Sequence, residues 1–164
     1  MCPAWTISPD PKKEVTVHET KIHEKLTRSE KESALEPNPI TSLLGNGTLF
    51  FVDRNEEIEK LAWNPHPKFK GAFIKHLIKG ADNDNLASCH LVRVNPGCQL
   101  TDHIHENEYE YHHILEGEGT GYLDGRPMVY KTGTIAVIPK GVTHRVVAGS
   151  AGILILATFL PALL

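Results

Sequence analysis

The sequence lacks the features that mark several large classes of protein. Cysteine is scarce: Cys2, Cys89 and Cys98 are the three in 164 residues. An odd number without framework spacing excludes a disulfide scaffold and fits free thiols in a reducing compartment. The opening Met1-Cys2-Pro3-Ala4-Trp5 has no basic stretch leading into an apolar run, so no signal peptide is expected. Long apolar runs are also missing. The longest, 151–164, is 14 residues with Pro161 inside it; it is too short to span a bilayer and reads as a buried terminal strand. Basic residues are not in excess, with 17 Lys and Arg against 20 Asp and Glu and a net charge of −3. Nucleic-acid binding needs a concentrated basic face, and this sequence has none. The expectation is a cytoplasmic protein with neither nucleic acid nor membrane as a partner.

What the chain has in quantity is turn-forming residues: 13 glycines and 11 prolines accompany a hydrophobic fraction of 40%. That mixture suits one modest, turn-rich β domain. Residues 1–44 are read as a polar N-terminal arm, with a faint helical spacing of Val17, Ile22 and Leu26. An arm packed across a partner subunit and a partly disordered tail are both open. Strand signals begin after Gly45-Asn46-Gly47, over 48–52, 60–63, 72–78, 86–94, 109–115, 119–123, 128–130, 134–138, 145–147 and 153–160. Short strands at even spacing, without a long helix among them, predict an all-β antiparallel barrel or jelly roll over 45–164.

Two stretches carry chemistry. His103 and His105 are two apart and so share one face of a strand. Glu110 follows at an odd step, which requires a turn or bulge through the polar segment Glu106-Asn107-Glu108. Past that turn Glu110 starts a new strand and faces back toward the histidines. His144 arrives from a distant strand, just after the Pro-x-Gly turn Pro139-Lys140-Gly141. Three imidazoles and one carboxylate make a mixed ligand set suited to divalent first-row metals. Four protein ligands on an octahedral ion leave two positions for water or substrate, which separates a chemical site from a closed structural one.

These residues resemble the two motifs of the cupin superfamily. Gly97, His103, His105, Glu110 and Gly117 fit the first, and Gly133, Pro139, Gly141 and His144 fit the second. The asparagine that closes the second motif is replaced by Ala148, at a position that is not a ligand. The resemblance implies a double-stranded β-helix, the jelly-roll barrel of RmlC-like cupins. It also implies one divalent transition metal per chain (iron, manganese, zinc or nickel) on His103, His105, Glu110 and His144. Related barrels commonly pair through exposed strand edges, so a homodimer is expected.

Three further residues are candidates for catalysis. His112 shares strand parity with Glu110 and reads either as an acid–base group or as a core histidine with a satisfied hydrogen bond. Arg93 reads as an inward anchor for a substrate carboxylate or as half of a surface ion pair. Tyr122 is the remaining acid–base candidate. Two function classes follow. One is a metal-dependent enzyme acting on a small polar metabolite: a dioxygenase with iron, or an isomerase, decarboxylase or lyase with the other metals. The other is a non-catalytic barrel that binds or senses a small molecule.

Overall fold

From Ala72 onward the apolar residues recur at every second position, and that period sets the architecture. The computed structural model describes residues 39–164. The helical spacing at Val17, Ile22 and Leu26, and Cys2, lie outside them. A short helix, α1 (Pro39–Gly45), leads into a hairpin of β1 (Thr48–Phe50) and β2 (Asn55–Glu57). A 3-10 turn over Ile58–Lys60 precedes β3 (Asn64–Pro65), β4 (Ala72–Ile78), β5 (Ser88–Val94) and β6 (Gln99–His103). Then come β7 (Tyr109–Leu123), β8 (Arg126–Lys131), β9 (Ile135–Ile138) and β10 (His144–Leu160).

The two long strands build the jelly roll. Strand β7 pairs with β9 through its first half and with β8 through its second. Strand β10 pairs with β6 near His144 and with β5 beyond Ile153, while running antiparallel to β7 throughout. One layer therefore reads β3-β4-β5-β10-β7-β9 and the other β6-β10-β7-β8. Separate strands expected at 109–115 and 119–123 are one strand that bends from layer to layer, and 145–147 with 153–160 are another. The bend falls where Gly117 (φ +77°) meets Gly152 (φ +80°) and the β10–β7 register shifts. A Cβ on Gly117 would run into the Gly152 carbonyl oxygen. Only glycine allows both the backbone angle and the approach.

Two cores result. The inner faces of the layers enclose Ile74, Val92, Val94, Ile114, Val146 and Ile155 among others. A smaller cluster sits on the outer face of the first layer, where Ile58, Leu77 and Leu91 pack with Leu44, Leu49, Leu61 and Trp63. This explains why 60–63 is not the strand its composition suggests. Its apolar side chains lie flat on the sheet, and the buried Lys75 ammonium donates to Ile58 O at 2.8 Å instead of a strand doing so. Strand β5 begins at Ser88 rather than Leu86 because the Asn83 side chain binds both the N–H and the C=O of Ala87.

Gly117→Ala should destabilise the fold by roughly 1–3 kcal/mol or more, the cost of a side chain in left-handed backbone plus the collision. Urea unfolding should show a lower midpoint at unchanged slope. An unchanged midpoint would remove the corner argument.

Candidate metal centre

Each candidate donor reaches the barrel interior by its own backbone route. His103 ends β6, His144 begins β10, and the two are cross-strand partners. Glu110 is the second residue of β7. His105 lies in irregular backbone after β6, not on the strand its spacing suggests. Gly141 N–H donates to His105 O at 2.7 Å, which ties this loop to the Pro-x-Gly turn before His144. One donor atom from each of His103, His105, Glu110 and His144 falls within 4.8 Å of the other three.

The ring orientations follow from local hydrogen bonds. His103 Nδ1–H donates to Thr101 O at 2.7 Å, and His144 Nδ1–H donates to Val142 O at 3.1 Å. A carbonyl only accepts, so each neutral ring carries its proton on Nδ1 and turns a bare Nε2 inward. Glu110 Oε2 lies 2.9 Å from His144 Nε2 and 3.4 Å from His105 Nε2. Yet both Glu110 Oε2 and His144 Nε2 are buried without a hydrogen bond among the described residues. Orphaned buried polar atoms are rare, and two this close, aimed at common space, suit a cation between them. The cluster can hold a metal ion.

Behind Glu110 stands a second set of contacts. His112 Nε2 lies 2.8 Å from Glu110 Oε1, and His112 Nδ1 lies 3.1 Å from the Tyr130 hydroxyl. With Glu110 ionised, His112 donates to it from Nε2, while its Nδ1 meets the Tyr130 hydroxyl. Both His112 and Tyr130 are buried. Tyr130 fits because Gly121, beneath its ring, has no Cβ. Burial alone would raise the Glu110 pKa, but the charge and hydrogen bond of His112, with the imidazoles of His105 and His144 close by, hold it well below the usual carboxylate range. Burial, then the charge of His144, pushes His103 down to about 4. Burial also acts to lower His144, but its contact with Glu110 outweighs that and raises it above the ordinary 6.5.

The structure brings His112 to the centre and leaves the other two catalytic candidates outside it. Arg93 is exposed on the outer face of β5, with its guanidinium over the Trp63 ring at 4.8 Å and the Phe73 ring at 5.0 Å. It is not the inward anchor, because Val92 and Val94 occupy the inner face, and it has no ion pair among the described residues. Tyr122 pairs with Arg145, one position from His144 and on the opposite face, and stacks under that guanidinium at 3.9 Å. Strand parity corrects both. Sequence reasoning missed Tyr130, His66, His76 and His90. A polar side chain at an inward, otherwise apolar position of a strand was the available signal for His76, His90 and Tyr130.

The comparisons with known proteins agree with this geometry. Residues 90–159 match the family model described as Cupin domain. That stretch, which holds all four candidate donors, is a cupin domain. No curated protein matches the sequence of this chain. Among solved structures, it is similar to a predicted oxalate decarboxylase from Thermotoga maritima, with TM-score 0.58 and 24% identity over 63% of this chain and 95% of that one. KdgF from Halomonas sp. gives TM-score 0.57 and 20% identity over 69% and 93%. An RmlC-like cupin from Shewanella frigidimarina gives TM-score 0.56 and 21% identity over 64% and 87%. At such identities the likeness is one of fold. No helix among the described residues is long and apolar enough to cross a membrane.

Below its raised pKa His144 carries a second proton, on Nε2 beside Glu110, and a metal must displace it. Because that proton is retained above pH 6.5, metal affinity should keep rising as pH increases past this value and fall steadily below it. Calorimetric titration with zinc at fixed ionic strength tests this. A flat affinity between about pH 6 and 8 would contradict the ligand set.

Proposed function

We propose that His103, His105, Glu110 and His144 hold one divalent transition metal per chain, iron, manganese, zinc or nickel, in a metal-dependent enzyme. The substrate is a small polar metabolite that meets the ion through two oxygens. The observation that carries this reading is the pair Glu110 Oε2 and His144 Nε2, buried 2.9 Å apart with no hydrogen bond among the described residues. The ion would supply Lewis-acid polarisation, or oxygen chemistry if it is iron. The reaction is then a dioxygenation with iron, or an isomerisation, decarboxylation or lyase step with the others. The fold-level likeness to a predicted oxalate decarboxylase supports a small acid as the metabolite.

The chain's own residues divide the remaining work. His112 holds Glu110 Oε1 from behind, so that Oε2 stays forward. With both ring nitrogens engaged, His112 is a positioning residue. Phe69, 5.0 Å from His103, and Phe159, 5.0 Å from His105, form apolar walls that exclude water. One observation favours the second reading, a barrel that binds or senses a small molecule without turnover: Arg93 and Tyr122 face outward, leaving few acid–base groups beside the ligands.

His103→Ala and His144→Ala should each cut the metal content of protein purified without added metal. The loss should exceed the roughly 10–100-fold drop in affinity typical of removing an outer partner. Unchanged stoichiometry in element analysis would sink the assignment.

A cytoplasmic location fits the free thiols Cys89 and Cys98. Assembly as a homodimer is supported by β9, an edge strand whose outward Ile135 and Val137 are 63% and 49% exposed. Light scattering should give twice the chain mass, and Val137→Lys should shift it toward the monomer. A monomeric parent protein would remove the proposal.

A further inference from the structure

The two oxygens of Glu110 stand in different surroundings. Oε1 lies 2.8 Å from His112 Nε2, while Oε2 lies 2.9 Å from His144 Nε2 and 3.4 Å from His105 Nε2. Oε2 has no hydrogen bond among the described residues and is the oxygen turned toward the other donors. A carboxylate can meet a cation through one oxygen or through both. Which of these Glu110 adopts decides how many positions an ion at the centre keeps for a guest.

The surroundings of His112 hold Oε1 back. The residues beside it on the inner face, Ala157 on β10 and Ala136 on β9, are buried and carry only methyl groups. Its Nδ1 lies 3.1 Å from the Tyr130 hydroxyl, and the two rings cross at 87° with centroids 5.8 Å apart. Tyr130 is buried in turn, and a Cβ on Gly121 would collide with its ring. A packed imidazole with a partner at each nitrogen has one orientation, and here it aims Nε2 at Oε1. Turning Oε1 toward the donors would leave the His112 N–H buried without an acceptor and break a bond to a charged group. His112 is not itself one of the four donors, and its ring centroid lies 6.3 Å from that of His144.

Resting on the metal-centre reading above, we propose that His112 limits Glu110 to a single donor oxygen and so reserves two positions on the ion for a chelating substrate. Without His112, Oε1 comes forward, the carboxylate takes the ion through both oxygens, and one of those positions is lost. His112 is thus a positioning residue that never touches the substrate, yet it decides whether two substrate oxygens or one can bind.

Protein loaded with manganese(II) provides the test, with metal content measured for every sample. Broadening of its electron paramagnetic resonance lines in isotopically labelled water counts the exchangeable water ligands. The parent protein should carry about two on an octahedral ion. His112→Leu should retain manganese and carry about one, whereas His112→Gln, whose amide keeps an N–H at Oε1, should return to about two. The zinc-loaded parent gives a second reading: nitrogen NMR of the histidine side chains should show His112 free of metal, with its proton on Nε2. About two waters on fully loaded His112→Leu, fewer than two on the parent, or a bare His112 Nε2 would each overturn the proposal and leave the metal centre standing. If His112→Leu does not fold or hold manganese, the proton position decides alone: Nε2–H supports the proposal and a bare Nε2 overturns it. Failure of the parent to take up manganese or zinc would overturn the metal reading and this one with it.

Discussion

The arrangement of the barrel interior depends on keeping Glu110 ionised while only 5% exposed. A buried carboxylate without partners costs several kcal/mol and would instead take up a proton. Here His112 holds one oxygen and three other imidazoles surround the second. Those imidazoles can meet the charge in two ways, as carriers of a proton or as co-ligands of a cation. The cluster is therefore self-consistent with either a proton or an ion at its centre, and the exchange between them links metal binding to pH.

Bringing these groups together is a topological task. Glu110 and His112 belong to the layer that contains β5 and β9, while His103 and His144 sit where β6 meets β10 in the other. No single sheet face holds all four donors. Because β7 and β10 each run through both layers, one pair of strands carries Glu110 and His144 on inner faces that oppose one another. The glycine corner at Gly117 and Gly152 lets the strands turn without breaking their ladder. The outer cluster around Leu77 and Leu91 then stiffens the layer that supports Glu110. The candidate metal centre thus rests on a bend several residues away from it.

Much of this is legible in the amino-acid order, for reasons that differ by residue. Strand parity alone puts Glu110 and His112 on one face, and the Pro-x-Gly turn places His144 at a strand start. The same parity separates Tyr122 from His144 once their pairing is known, but the pairing partner of a strand is not written in its own residues. His105 shows the limit of spacing arguments. Two residues from His103 implies a shared strand face, yet β6 stops at His103 and a loop hydrogen bond to Gly141 directs His105 inward instead. His66, His76 and His90 carry no motif, since their proximity to the centre arises from register across three strands and from two phenylalanines lying between. The segment 60–63 fails for a further reason: covering a sheet face and joining a sheet draw on the same apolar residues.

One side chain serves two opposite purposes here, and the backbone decides which. For His103 and His144 the group met by Nδ1 is a carbonyl two residues earlier, so the proton is held there and Nε2 is left bare. For His66 it is an amide N–H two residues later, so Nδ1 accepts and Nε2 keeps the proton. A bare nitrogen suits a cation, and a protonated one suits an anion. An imidazole has no fixed polarity of its own near neutral pH, so this assignment has to come from a rigid neighbour, and the peptide group is the most rigid available. The barrel can therefore line its interior with a single residue type and still present a bare nitrogen in one place and an N–H in another.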